Sequence, residues 1–408
     1  MTMLNVQVIG TGAAGNNATI TLLETGVIDK AKDILLLNST KKDIPSKYTD
    51  YAIEFGDIRG CGKEREVSRQ MILEALRSKQ IDLESFIRPE TQMVIIATSL
   101  EGGTGCGSAL VLAEYVSSVL GKNVHLFAFA GFEDDPKGMA NTVDWFKELN
   151  DQYTVEVISN KKFLEEANGN RHKAELLAND EFAKRVSILL GNSIVPSETN
   201  IDDTDLYKLT TIPGFMTIES TPLAKIKSVD DFNNALAEMV DNSKSLETEQ
   251  SAYYIGVIFN GSDKTKQYID ESYSVLKERY GKPMEFFRHY QNVQDDEYFA
   301  VIIGGMKIPN DEVNAIYNRF LKESESTDTT RDKFFDNKAK FDTSKATRSS
   351  VLNRRGSSFI SSKEVSNNQK NFFGKYSMNA KPDSDEEDKP INNTNSFNHF
   401  RNTTKNEI

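Results

Sequence analysis

Short apolar runs alternate with amphipathic stretches through the first half of the chain. The runs Leu4–Ile9, Ile34–Leu37, Met93–Ala97, Val124–Ala130 and Tyr153–Ile158 predict strands, because their apolar residues are contiguous and turn-forming residues bound them. Between them, segments near Asn16–Leu23, Glu64–Lys79, Ser108–Leu120 and Met139–Asn150 carry apolar residues at helical spacing. Strand–helix alternation of this kind predicts an α/β fold whose parallel sheet is covered on both faces. His172–Leu190 reads as a long helix with Leu177, Ala178, Phe182, Val186 and Leu189 on one stripe, and the polar loop Gly191–Asp205 follows it. From about Leu206 to Ser324, strands at Tyr253–Phe259 and Tyr298–Ile303 and helices at Val229–Asp241, Ser262–Tyr280 and Asp311–Glu323 predict a smaller α+β domain. Beyond Ser324 no period is evident and Ser, Thr, Asn and Lys dominate, which predicts disorder. The expected division is 1–192 with the long helix, 193–324, and a tail over 325–408.

Two glycine loops interrupt this pattern where a strand hands over to a helix. Gly10-Thr11-Gly12-Ala13-Ala14-Gly15 ends the first strand, and Gly102-Gly103-Thr104-Gly105-Cys106-Gly107 follows the third. Such loops expose rows of backbone N–H groups that favour phosphate, and ligands of parallel sheets sit outside the carboxyl ends of the strands. A dinucleotide site would want an acid at the end of the second strand, where Leu37-Asn38-Ser39 supplies none, and would not need the second loop. Neither loop contains the Gly-Lys-Ser/Thr of a P-loop. Two phosphate-type loops in one α/β domain point to a nucleotide.

Charge and composition narrow the picture. The net charge of −12 argues against the folded part being a dedicated nucleic-acid binder. Its distribution is uneven: residues 1–324 carry −15, whereas Arg331 to Lys381 holds twelve Lys/Arg against four Asp/Glu before the acidic run Asp383–Asp388. There is no secretory leader pattern and no apolar run long enough to cross a bilayer. The two cysteines, Cys61 and Cys106, lie in glycine-rich loops, which speaks against a disulfide framework, and the four histidines have no metal-ligand spacing. A reduced, cytoplasmic protein without direct membrane binding is expected.

The second glycine loop resembles the phosphate loop of the tubulin/FtsZ superfamily, and the order of other motifs agrees over about residues 1–324. Gly10, Gly12, Ala13, Ala14 and Asn17 resemble the family's first loop. Asn38-Ser39 is similar to the second, and Gly60-Cys61-Gly62-Lys63-Glu64-Arg65 to the third, near the terminal phosphate. Ala130–Pro136, with Glu133, stands where the ribose loop falls; Asn160, Asn179 and Asp180 resemble the guanine and ribose contacts. The resemblance implies GTP/GDP as ligand, Mg²⁺ with it, and GTPase activity; any protein ligands of the metal stay undetermined. Two departures stand out. Glu101 replaces a small residue, adding negative charge that weakens phosphate binding or recruits Mg²⁺, and Cys106 replaces Ser, Thr or Ala. The aromatic expected four residues before Asn179 falls on Glu175, so guanine preference is less secure than phosphate binding.

Asn200-Ile201-Asp202-Asp203-Thr204-Asp205 matches the family's catalytic loop, NxDxxD. Taken alone, an Asp-rich loop is a solvated turn or a helix N-cap before Leu206-Tyr207-Lys208. A helix of about nineteen residues spans about 28 Å, so acids past its far end cannot reach a nucleotide at its start. Asn200, Asp202 and Asp205 therefore read as groups presented to the next subunit's nucleotide, in a head-to-tail filament. Within the superfamily, Asn38–Asp43 and Gly60–Glu66 resemble the plasmid- and phage-borne partitioning tubulins of the TubZ group. That implies segregation of DNA and a tail that meets a DNA-binding adaptor on a centromere-like site, to which a basic tail is suited. The alternatives are an FtsZ-like division or phage-spindle protein, a non-polymerising nucleotide-binding enzyme, and, for the tail, a solubilising brush in which Phe334, Phe335, Phe359, Phe372 and Phe373 have no role.

Overall fold

The apolar runs form the strands expected of them. The computed structural model describes residues 4–28, 30–56, 60–191, 201–223, 226–246, 251–262, 268–292, 297–334 and 362–376. Strands β1 (Val6–Thr11), β2 (Ile34–Asn38), β3 (Ala52–Glu54), β4 (Met93–Ser99), β5 (Asn123–Ala130) and β6 (Thr154–Ser159) are parallel. β7 (Gly214–Pro222), β8 (Tyr254–Asn260), β9 (Glu285–Gln291) and β10 (Tyr298–Met306) continue the same sheet in the order β3-β2-β1-β4-β5-β6-β7-β10-β8-β9. β7 joins parallel to β6 and antiparallel to β10, which pairs antiparallel with β8. The α/β part and the α+β part thus share one ten-stranded sheet.

Successive side chains of a strand point to opposite faces, so a strand buried on both sides needs apolar residues throughout. Val8, Leu36 and Ile95 accordingly enter one core, while Ile9, Leu37 and Ile96 enter the other. The helices covering these faces are α1 (Gly12–Glu24), α2 (Arg65–Arg77), α3 (Leu83–Phe86), α4 (Thr104–Glu114), α5 (Pro136–Glu148) and α6 (Arg171–Leu189). α7 (Asp203–Thr211), α8 (Val229–Asp241), α9 (Tyr268–Tyr280) and α10 (Asn310–Phe334) follow. α4 runs into a π-helical turn, Tyr115–Val119. α6 has nineteen residues and buries Ala174, Ala178, Phe182, Val186 and Leu189 along one stripe.

β3, β7 and β9 carry no plain apolar run. β7 interleaves Thr217 and Glu219 with Phe215, Met216 and Ile218, and both polar side chains are buried. β9 reads Glu-Phe-Phe-Arg-His-Tyr-Gln and buries His289 and Gln291. Within residues 325–408 the described parts are helical. α10 runs on to Phe334, and α11 (Ser362–Lys375) is a helix seated on the body. Its physical reason is an isolated apolar stripe, Val365, Phe372, Phe373 and Tyr376, packed against the core.

Candidate functional site

Three helices begin at one edge of the sheet without a side-chain cap. α1 follows β1 directly, α4 follows β4, and α2 follows the loop 60–64; their N-cap residues Thr11, Gly103 and Glu64 make no side-chain capping bond. By contrast α3, α5, α6, α7 and α8 are capped by Asp82, Asp135, Asn170, Asp202 and Ser228. Uncapped starts leave N–H groups and partial positive charge pointing outward, which is the electrostatic signature of an anion site. β1 and β4 are neighbours whose flanking strands run outward in opposite orders, so the two glycine loops emerge at the switch point of the sheet.

Direct contacts hold the loops together. Gly12 takes a φ of 72°, and a side chain there would come within 2.8 Å of the Gly105 nitrogen. The Thr11 and Ser108 hydroxyls pair at 2.6 Å, and those of Ser39 and Thr104 at 2.7 Å. Ser68 of α2 donates to the Thr104 carbonyl at 2.8 Å, and Gly103 lies against the Lys63–Glu64 backbone. The expected residues Gly10, Gly12, Ala13, Ala14, Gly60, Cys61, Gly62, Gly102, Gly103, Thr104, Gly105 and Gly107 therefore share one pole of the molecule. Ala13 and Asn17 are exposed there; Asn38 is buried, its Oδ1 accepting from the Ser39 N–H at 2.9 Å.

Both cysteines face away from this pole. Cys61 Sγ packs on Met71 Sδ at 3.8 Å. Cys106 is 1 % exposed, donates to the Asn141 carbonyl at 3.4 Å, and has its thiol pushed up to about 11 by burial. The glycine loop thus offers backbone at position 106, and the thiol stays protonated and inert.

Glu101 has a different place from the one its charge suggested. Its carboxylate turns toward the loop 131–136 and accepts from the Glu133 N–H at 2.9 Å, filling the space over Gly131. Burial pushes its carboxyl above the usual range, against backbone hydrogen bonds that pull the other way. Glu101 is a strut between the second glycine loop and the expected ribose loop. Lys63 ties the third loop to the same element through Asp135 at 2.6 Å. Asn141 donates to the carbonyls of Lys63, Glu101 and Gly102 at 3.0, 3.3 and 3.4 Å. Glu133, at a φ of 57°, pairs through Oε2 with Lys161 at 3.0 Å and with Arg319 of α10. No local pattern marks Glu101, Asn141 or Arg319 for these roles.

Asn160 begins the turn after β6 at the same pole, 8 % exposed, with its Oδ1 lacking a hydrogen-bond partner among the described residues. Asn179 is buried and Asp180 exposed on α6, which packs against α1 and whose first residue Arg171 pairs with Asp134. A buried acceptor without a partner, three uncapped helix starts and loops with no room for side chains fit a nucleotide with its phosphates over the glycines.

Asp202 and Asp205 are elsewhere. Asp202 is exposed and caps α7, accepting from the Thr204 and Asp205 N–H groups at 2.8 Å each; Asp205 is half-buried in the first turn. Asn200 lies outside the described residues. α7 is anchored at the amino ends of the strands: Asn123, which opens β5, donates to Tyr207 Oη at 2.7 Å, and Thr154, which opens β6, donates to the Ile212 carbonyl at 2.8 Å. β5 has eight residues, so the two poles stand about 25 Å apart at the usual strand rise of about 3.3 Å. The glycine loops and the Asp202–Asp205 turn occupy opposite ends of one subunit.

Fold and site together define an α/β protein whose glycine loops are grouped at a switch point of the sheet. No family model matches the sequence. The chain is 22% identical over 318 residues to the cell division protein FtsZ of Mycoplasmopsis pulmonis, spanning 74% of this chain and 77% of that one. Other FtsZ sequences match over about half of their own length. Among solved structures, a GTPγS-form protofilament of Bacillus thuringiensis serovar israelensis TubZ superposes with a TM-score of 0.67, at 17% identity, covering 80% of this chain and 94% of TubZ. The GTPγS-bound protofilament of Haloferax volcanii CetZ2 gives 0.65 at 17% identity, covering 79% and 99%. The chain is thus similar in sequence to FtsZ proteins and has the tubulin/FtsZ fold.

Proposed function

We propose that this chain is a GTPase that polymerises head to tail and uses the filament to segregate or position plasmid or phage DNA. The observation that carries the reading is the polarity of the subunit: uncapped helix starts and glycine loops at one pole, Asp202 and Asp205 at the other. Stacked subunits bring the second pole of one molecule onto the first pole of the next. Such an interface repeats without closing, and a filament results. GTP lies with its phosphates over Gly12, Gly103 and Gly105 and its base toward Asn160 and Asn179. Mg²⁺ would enter with the triphosphate and would supply neutralisation of its charge. Asp202 and Asp205 of the adjoining subunit orient the water that attacks the terminal phosphorus; the bond to the bridging oxygen breaks, leaving GDP and phosphate. Positioning and charge neutralisation dominate such transfers. No helix among the described residues is long and apolar enough to cross a membrane, and the reading places the filament in the cytoplasm.

The DNA role is supported by the TubZ likeness and by the basic stretch Arg331–Lys381 on an acidic body. An adaptor–DNA complex presents phosphates to such a stretch. An FtsZ-like division role is the second reading, favoured by the match to FtsZ along most of its length. Light scattering with GTP and with GDP tests polymerisation, and a rise with GTP alone is expected. Removing residues 335–408 should leave that rise intact and abolish capture of an adaptor–DNA complex. Unchanged capture contradicts the cargo role.

A further inference from the structure

Segment 362–376 binds the body through one face. Val365, Gln369, Phe372, Phe373 and Tyr376 recur at helical spacing, so α11 presents them together. Phe372 is 4 % exposed, with its ring edge-on to Tyr115 at 5.1 Å. Phe373 lies under the Arg77 guanidinium of α2, 5.5 Å from the ring centre. Polar groups frame this contact. Gln369 donates to Tyr115 Oη at 2.9 Å and to Glu84 of α3, while Lys375 Nζ and Tyr376 Oη each reach a Glu114 oxygen at 2.6 Å. The surface supplies an aromatic face, one cation and two carboxylates; the helix supplies aromatic rings, an amide and one cation.

We propose that this flank of the body, formed by α2, α3 and the Tyr115 turn, is a docking site whose ligand is the chain's own segment 362–376, held in cis as a releasable latch. The connecting residues 335–361 number 27, enough chain to span about 90 Å when extended, so reach does not restrict the helix to its own body. Tethering does favour it: an attached segment has an effective concentration in the millimolar range, far above that of free copies at micromolar protein. Burial of four apolar side chains alone does not cover the cost of ordering fourteen residues, so the docking leans on the helix hydrogen bonds and the polar contacts and the latch opens readily. While closed it hides the Phe372–Phe373–Tyr376 face and fixes where the last stretch of tail leaves the subunit. This inference does not depend on the GTPase reading.

Hydrogen exchange on the full chain tests it, following the amides of residues 366–376. In the unaltered protein they should exchange about tenfold or more slowly than in Phe372→Ser, with protection independent of concentration between about 1 and about 100 μM. Glu114→Lys and Lys375→Glu should each weaken the protection, and the two combined should recover part of it, because the ion pair is reversed while Tyr376 loses its acceptor. Exchange as fast as in Phe372→Ser would overturn the docking. Protection that grows with concentration would place the helix on a second copy and overturn the cis latch. Failure of the double exchange to recover any of the protection would overturn the assigned contact.

Discussion

Replacing Glu156 by Gln should stabilise the protein at alkaline pH and change little at acid pH. One guanidinium, Arg185 of α6, is buried among three carboxylates: Glu181 at 2.7 Å, Glu219 at 2.9 Å and Glu156. Ser245 Oγ adds an acceptor for Arg185 at 2.6 Å, and Thr217 and Ser243 donate to Glu219 at 3.0 and 2.5 Å. Two negative charges remain in excess if all three acids ionise. Glu156, fully buried and with Oε2 unpartnered among the described residues, is the acid that burial pushes up, to about 7, against the pull of Arg185. In the unfolded chain the same group titrates near 4.5. The folded state therefore holds a proton that the unfolded state has released, and stability falls as pH rises through about 7. A lift from 4.5 to about 7 corresponds to about 3 kcal/mol in full, of which about 2 to 3 kcal/mol falls between about pH 5 and pH 8. Gln keeps an acceptor for Arg185 and does not titrate. Equilibrium urea unfolding at the two pH values should thus show Glu156→Gln gaining about 2 to 3 kcal/mol on the parent between them. A difference between variant and parent that is the same at both pH values refutes the reasoning. Arg185→Met is the contrast, expected to lose about 3 to 5 kcal/mol by leaving buried carboxylates unpaired.

At the phosphate pole, Gly105→Ala should weaken GTP binding about tenfold or more, since the added carbon meets Thr98 Oγ1 at 2.7 Å and the Thr11 carbonyl at 2.9 Å. Fluorescent-nucleotide titration reads it, and near-parental affinity would count against the loop assignment. Glu101→Gln keeps the acceptor for the Glu133 N–H and should stay within about threefold of the parent's affinity, whereas Glu101→Ala loses the strut and should fall about tenfold. Equal effects of the two would contradict the strut. Asp205→Ala should bind GTP and form longer-lived filaments with little phosphate release. Asp202→Asn should behave alike, because Asn still caps α7 and the loss is of charge alone. Normal turnover in both would remove the acids from the mechanism.

Strands β1, β2, β4, β5 and β6 were legible because burial on both faces demands unbroken apolar runs, as in Met93–Ala97. The glycine loops were legible because few other residues tolerate their close approaches, as Gly12 against Gly105 illustrates. β7 was hidden by its role: it supplies Glu219 and Thr217 to the Arg185 cluster, and those polar residues break its apolar signature. α11 escaped because four apolar residues in a polar tail look incidental until Tyr115 and Glu114 are set against them. Glu101, Asn141 and Arg319 became readable only in three dimensions. Arg319 and Glu133 meet across 186 positions of chain, and no local spacing encodes that.

In the proposed filament one pole of each subunit completes the nucleotide site of the next. Phosphate release per molecule, measured across a dilution series in saturating GTP, tests it most directly. Release should be negligible below a threshold concentration and set in steeply where light scattering begins to rise. A rate per molecule that stays constant down to dilute, unassembled subunits would contradict it.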